Sequence, residues 1–341
     1  MRDLLVIGGG PAGLASALHA AHAGLDVSVW DKRAGILDKA CGEGLMPGAV
    51  TALADIGVEP VGEDLLGIRY LAGHRAVEAP FRSGPGRGVR RTTLHTAMRS
   101  AAEDAGIPFE QRCAREVRPC LDSVAVDGER FRHVVAADGL HSPVRRLLGL
   151  EERPSPRRRY GVRRHYRLAP WTSYVEVHWA ESVEAYVTPV AADLVGVALL
   201  TSARGSFDDH LDRFPSLRAR LRDAKPLGEV LGAGPLRQRA RSRVAGRVLL
   251  VGDAGGYVDA LTGEGVALGV AQGRAAVAAI LDDDPMRYEH DWHTITRRYR
   301  LLTACLLGAT RLKPVRRALV PTAERLPGVF AAAVNSLGRP A

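Results

Sequence analysis

The chain has little cysteine, little lysine, few aromatic side chains and no long uninterrupted apolar run. Its four cysteines, at positions 41, 113, 120 and 305 of 341 residues, match no zinc or paired redox spacing, so no metal is expected. They are too few to staple a chain of this length with disulfides, which makes a reducing cytoplasm the expected setting. No run of about 18 uncharged apolar residues occurs, so no spanning helix is expected. The apolar N-terminus does not read as a signal peptide, because Gly8, Gly9, Gly10 and Pro11 interrupt it and charge returns at Asp26 and Asp31. Aromatics make up 5% of the chain, which leaves no base-stacking platform. The net charge is +9, but the arginines behind it are scattered, and only Lys32, Lys39, Lys225 and Lys313 are lysine. Nucleic acid is therefore not an expected partner. Internal repeats are also lacking.

What remains is an ordinary globular composition, 46% hydrophobic and 25% charged, in a chain long enough for two domains. Leu4-Leu5-Val6-Ile7 is a short apolar run of the kind found in buried parallel strands. Residues 12–23 are rich in alanine and leucine and read as a helix, with Gly24 placed to end it. Asp26-Val-Ser-Val-Trp30 reads as a second strand, which completes a βαβ unit. Further strands are expected at 132–136 and 247–251, and further helices at 94–105 and 266–281. Between them, 67–81, 160–167, 174–179, 184–190 and 194–200 alternate as strands do. The expected fold is α/β: a doubly wound nucleotide domain, an inserted, largely antiparallel sheet, and a helical C-terminus. The divisions expected are 1–66, 85–150 and 236–284 for the nucleotide domain, 67–84 and 151–235 for the sheet, and 285–341 for a helical cap broken at Pro314, Pro321 and Pro327.

Three segments carry chemistry. In Gly8-Gly9-Gly10-Pro11-Ala12-Gly13, the glycines at 8, 10 and 13 allow a tight turn and close approach of backbone to a diphosphate. The helix that follows points its positive end at the anion. Asp31 stands at the end of the next strand, with Lys32 beside it, placed to accept hydrogen bonds from a ribose. At Asp138-Gly139-Leu-His-Ser142-Pro143 a strand ends and a helix opens, with Ser142 as its cap. At Gly252-Asp253 another strand ends, and Asp253 is placed for a polyol hydroxyl. Gly263-Glu264-Gly265-Val266 then opens a helix whose backbone N–H groups suit an anion.

This trio resembles the class A flavoprotein monooxygenases and the related geranylgeranyl reductases over residues 1 to about 285. The resemblance implies a glutathione-reductase-like FAD-binding domain, FAD as cofactor and NAD(P)H as co-substrate. It places Asp31 at the adenine ribose, Arg91 near the diphosphate, Asp253 at the diphosphate or ribityl chain, and Gly263 to Val266 against the isoalloxazine. The family's usual glutamate is Asp31 here. Lys39-Ala-Cys41-Gly42-Glu43-Gly44 is similar to the Cys-Gly-Gly-Gly stretch that passes near flavin and substrate in the reductases. Tyr186-Val-Thr-Pro189 occupies the slot of a Trp-x-x-Pro pattern, without its tryptophan. No lysine stands in a halogenase setting. The stretch 38–47, with 160–165, most resembles actinobacterial flavoprotein hydroxylases of type III polyketide (alkylresorcinol) pathways.

The expectation that follows is hydroxylation of a phenolic, alkylresorcinol-like substrate with O₂ and NAD(P)H through a flavin C4a-hydroperoxide. The cofactor carries the reactivity; the protein supplies a dry pocket and a group that helps remove the phenolic proton. Candidates for that group are Glu43, His165, His178 and Tyr186. Cys41 reads as a small packing residue. The alternatives are an FAD-dependent reductase of isoprenoid C=C bonds and a non-catalytic flavoprotein. Arg311, Lys313, Arg316, Arg317 and Arg325 lie among apolar residues, a pattern that suits a membrane surface or a helical cap over the flavin domain, the cap being preferred.

Overall fold

A computed structural model describes residues 1–153 and 158–338. Residues 154–157 of the expected inserted unit and 339–341 of the expected cap lie outside the described residues. The Arg2–Ile7 strand sits mid-sheet, parallel to Val27–Asp31 on one side and Glu129–Ala136 on the other. Val248–Leu250 and Phe109–Gln111 extend the parallel sheet outward. Leu4, Leu5 and Val6 are fully buried, as both faces of the sheet are covered. Helix Pro11–His22 lies on one face and buries Leu14, Ala15, Ala17 and Leu18. Gly24 follows it with φ +79, the left-handed turn that ends a helix. Helix Gly265–Leu281 packs across it at small residues. A Cβ at Gly273 would stand 2.8 Å from Ser16 Oγ and 3.0 Å from Ser16 N, so only glycine permits this approach. The helices Pro11–His22 and Gly265–Leu281, each opened by a glycine turn, are thereby held together.

The second sheet has seven strands in the order Lys225–Ala233, Tyr160–Arg167, Leu194–Thr201, Val183–Ala191, Tyr174–Trp179, Gly67–Ala72, Arg75–Pro80. All neighbours are antiparallel except Tyr174–Trp179 and Gly67–Ala72, which run parallel. Alternation sorts its two faces. Val183, Ala185 and Val187 pack under Phe207, Leu211 and Phe214. The opposite face presents Glu184, Tyr186 and Thr188, toward the rest of the molecule. A three-stranded sheet of Gly44–Leu45, Gly86–Gly88 and Glu63–Leu65 joins the two units. A Cβ at Gly88 would come within 1.7 Å of Pro189 O.

Several elements depart from expectation. The third helix begins at Arg91, not Leu94. Lys225–Ala233 is a strand despite its proline and two glycines, which an edge strand tolerates. Pro314 and Pro327 begin helices Lys313–Arg325 and Pro327–Leu337, and Pro321 lies inside the first of these. Helix Pro285–Ala309 covers the flavin-motif helices, burying Tyr288 and Trp292. The last two helices cover the second sheet instead, where Val320 and Phe330 meet Tyr70, Val177 and Trp179. Arg316 turns inward to Glu184 at 2.6 Å, so it is not part of an outer basic face. Among the described residues, no helix is long and apolar enough to cross a membrane.

Candidate functional site

The glycine turn is a close-packed object. Gly8 has φ +111, and a Cβ there would lie 2.4 Å from Ala137 O; one on Gly13 would lie 1.8 Å from Gly8 O. Asp31 Oδ2 accepts from Gly9 N at 2.8 Å, and Asp31 Oδ1 from Arg33 N at 2.8 Å. Lys32, next in sequence, is exposed. His95 holds the turn from below, with Nε2 2.8 Å from Gly9 O and Nδ1 accepting from Leu37 N. Burial lowers its pKa, so it acts as a neutral clamp. Neither Gly10, which caps helix Pro11–His22, nor Glu264, which caps Gly265–Leu281, gives that helix a side-chain acceptor. Both leave first-turn N–H groups for another acceptor.

Charges gather at this point. Arg91 Nη2 lies 3.9 Å from where a Cβ on Gly10 would be. Burial lowers the Arg91 pKa, against the pull of Cys41, Asp253, Asp38 and Glu43. Lys39 Nζ lies 3.2 Å from the corresponding point on Gly139. Desolvation within the groove, then Arg33 and Arg91, depress its pKa, while Asp253 and Asp31 oppose them. The Asp253 carboxyl is pushed up by desolvation, with Lys39, Arg91 and Arg145 pulling it back. Asp138 Oδ2 accepts from Val144 N at 2.9 Å, while its Oδ1 is buried without a partner. Burial raises its pKa. Fully buried Arg145 ties the two aspartate turns together, with donations to Leu140 O at 3.0 Å and Ala254 O at 3.0 Å.

Two uncapped helix ends, two converging cations and the buried, unpartnered Arg91 Nε form a donor set that suits a diphosphate, and the unpartnered Asp138 Oδ1 offers an acceptor to a polyol beside it. Open space lies around the Cβ positions of Gly42, Gly263 and Gly265. These residues fit FAD. Among the described residues, no cluster of potential metal ligands exists.

Glu264 differs from the other cofactor candidates. It is buried, and its carboxyl faces Thr262 and Arg298; burial raises its pKa to about 7. In the unfolded chain this carboxyl would ionise near 4.5, the ordinary glutamate value. Stability of the FAD-free protein should therefore fall as pH rises from 4.5 to about 7, then level, by roughly 3 kcal/mol at most. Glu264→Gln is expected to flatten that fall in a thermal melt series from pH 5 to 8. An unchanged slope would contradict the assignment.

The four catalytic candidates separate. Glu43 takes a left-handed backbone at φ 60, a strained position for a non-glycine residue. Its Oε1 accepts from Arg91 N at 2.8 Å, and Oε2 lies 2.7 Å from His165 Nε2. Arg163 Nη1 contacts His165 Nδ1 at 3.0 Å, and its Nη2 pairs with Asp38. A guanidinium can only donate, so Nδ1 accepts and the His165 proton sits on Nε2, facing Glu43. Gly196 makes room, since a Cβ there would lie 2.8 Å from Glu43 Oε2. Thr188 Oγ1 donates to Gly42 O at 2.7 Å. Beside these residues, the Cys41 thiol is pushed up by burial and accepts weakly from Glu43 N at 3.4 Å.

Tyr186 shares the inner face of the sheet, but its hydroxyl donates to Leu261 O at 3.1 Å, and burial raises its pKa well above the usual value. It holds the turn before Gly263. Tyr186→Phe is expected to lower stability by about 1 kcal/mol while leaving FAD content unchanged, as read by a melt and by flavin absorbance. His178 is on the other face. It lies opposite Ala185 in the register, pairs with Glu176 at 3.1 Å and meets the Phe214 ring at 6.1 Å. The structure removes it from the group around Glu43. Sequence reasoning gave no role to Lys39, His95, Arg145 or Arg163, although Lys39 and Arg163 fall in the stretches 38–47 and 160–165 and Arg145 follows Pro143 by two residues; His95 had no signal.

Comparison with known proteins places this geometry. A family model described as an FAD binding domain matches residues 1–189. The chain is 30% identical over 315 residues to a menaquinone reductase of Mycobacterium tuberculosis, covering 82% of this chain and 76% of that protein. It is 30% identical over 322 residues to digeranylgeranylglycerophospholipid reductase 1 of Methanothermobacter thermautotrophicus, covering 83% and 78%. Among solved structures, a geranylgeranyl bacteriochlorophyll reductase-like protein of Thermoplasma acidophilum matches with TM-score 0.79 at 20% identity, over 98% of this chain and 95% of that one. A flavin-dependent brominase matches with TM-score 0.79 at 18% identity, over 99% and 94%.

Proposed function

The chain belongs to the FAD-binding-domain family and is an FAD-dependent oxidoreductase; we propose that it reduces a carbon–carbon double bond in the isoprenoid part of a lipid-like substrate. What supports this reading is the likeness, over about four-fifths of this chain, to two reductases whose names give a quinone and a prenylated glycerophospholipid. It moves the reductase ahead of the phenol hydroxylation that segment 38–47 suggested.

Bound FAD would supply the hydride. The chain's own residues do the rest. Gly8 to Gly13 and the Pro11–His22 helix end hold the diphosphate, with Arg91 and Lys39 offsetting its charge. Asp31 and Asp253 take the ribose and polyol hydroxyls. The open turn Gly263–Val266 would face the ring. Glu43 and His165 hold a proton between Oε2 and Nε2 and fix the Cys41–Gly44 stretch over the groove. They are enclosed, which suits positioning better than contact with substrate.

A hydroxylase remains the second reading. Tyr186 stands in the slot where the resemblance implies a tryptophan for the reductases, so this chain departs from their pattern there. One experiment separates the two. The FAD-loaded protein, reduced without oxygen, is given menaquinone or a geranylgeranyl lipid and the product is weighed. A gain of two hydrogens that persists after the quinone is reoxidised, or that appears in the geranylgeranyl lipid, supports the reductase. Failure there, with incorporation of labelled oxygen into an alkylresorcinol under ¹⁸O₂, would replace it with the hydroxylase.

A further inference from the structure

Behind the Gly252–Asp253 turn lies a cleft of about 780 Å³, walled by residues 237–243, helix Gly265–Leu281 and helix Pro285–Ala309. Its lining carries six arginines against two acids, Glu152 and Asp253. Some of this charge is already matched. Arg243 pairs with Glu289 at 2.5 Å, and Arg239 reaches Glu152 at 3.8 Å. Among the described residues, Arg241, Arg297 and Arg300 have no carboxylate within ion-pair distance.

Crowding of like charge is visible at two groups. Burial, Arg243 and Arg239 pull the Arg300 guanidinium below its usual range, and Glu152 only partly opposes them. Burial and Arg243 lower the pKa of His293, which contacts Arg300 at 3.4 Å. The inner end of the cleft is bounded by Gly252, Asp253 and Gly265, all three cofactor candidates. Arg239, Arg241, Arg297 and Arg300 are exposed, but they line one concave space together with Gly252, Asp253 and Gly265 rather than a flat or convex face.

We propose that this cleft binds a phosphate-bearing small molecule, with Arg297 and Arg300 as principal contacts. Planar guanidinium groups match phosphate oxygens in pairs, and an anion would relieve the repulsion among them. Two reactants carry that chemistry: a phosphorylated nicotinamide dinucleotide and the head group of a phospholipid substrate. The link to a reactant rests on the oxidoreductase reading; phosphate binding itself does not.

The test is calorimetric titration of the FAD-loaded protein with inorganic diphosphate at low salt. Binding is expected, and the double variant Arg297→Ala, Arg300→Ala is expected to bind at least tenfold more weakly. Arg300→Gln alone, with FAD content and melting checked, serves if the double variant fails to fold. Arg118→Ala with Arg132→Ala removes the same charge elsewhere and should leave binding unchanged. No binding, or equal weakening by the two double variants, overturns the site. Displacement of diphosphate by NADPH but not NADH assigns the dinucleotide, and displacement by glycerol phosphate assigns the lipid head group. Displacement by none of these overturns the link to a reactant, whatever the outcome of the reductase assay.

Discussion

Gly13→Ala is expected to yield a protein that holds no FAD. The added methyl would stand 1.8 Å from Gly8 O and 3.2 Å from the Ala137 side chain. Neither obstacle is the end of a flexible side chain. Gly8 O belongs to the turn itself, and Gly8 is already confined by Ala137 O at 2.4 Å from its own Cβ position. Relief therefore requires the strand-to-helix turn to open, which withdraws the Gly10 region and the helix end from the diphosphate. Overpacking of a closed core typically costs on the order of 1–3 kcal/mol, and a backbone clash this short belongs at or beyond the top of that range. Gly24→Ala is the control. Nothing lies within 4 Å of its Cβ position, and only its left-handed φ of +79 opposes a side chain. It should cost about 1 kcal/mol and keep its flavin. The ratio of flavin absorbance to protein absorbance after desalting reads both. A yellow Gly13→Ala protein would mean that the turn is not the cofactor's seat.

Glu43→Ala is expected to be the most damaging change outside the glycine turn. Glu43 and His165 side chains are 1% and 2% exposed. Removing the carboxylate leaves Arg91 N–H and His165 Nε2–H without acceptors, and leaves Arg163 facing a shortened partner set. Breaking a buried pair from one side typically costs about 3–5 kcal/mol. The loss also reaches the cofactor, because Glu43 ties down the first residue of the helix that begins at Arg91.

Glu43→Gln sharpens the argument. The amide offers one acceptor where two donors, Arg91 N and His165 Nε2, converge. His165 cannot turn its proton to Nδ1, since Arg163 donates there. One donor–donor contact is unavoidable, so glutamine should not rescue the alanine variant. Thermal melts and FAD dissociation constants of the two variants measure this. A stable, flavin-tight Glu43→Gln protein would show the proton arrangement to be wrong.

Much of the fold was legible in order along the chain. The run Leu4–Ile7, the glycines after it and Asp31 describe a βαβ unit whose interactions are nearly all local. Ser142 and Pro143 are likewise readable, and Ser142 Oγ does accept from Arg145 N at 2.9 Å. Strand alternation disclosed the second sheet, except for Lys225–Ala233, whose half-exposed edge position permits a sequence without that pattern. The three-stranded joint between the sheets left no signal, because strands of two or three residues are too short to show a period.

The candidate site divides along the same line. The proposed cofactor cradle is readable along the chain, since its glycine spacing shapes the local backbone and its aspartates stand at the ends of strands that the sequence marks. The rest came from packing between distant segments. It joined Glu43 to His165, 122 positions apart, and to Arg91 and Arg163. It sent His178 to the far face of the sheet, brought His95 to the glycine turn and set Lys39 against Gly139. The physical reason is that a buried charge needs partners, and those partners come from whatever strand register and helix packing place beside it. No local pattern records that choice.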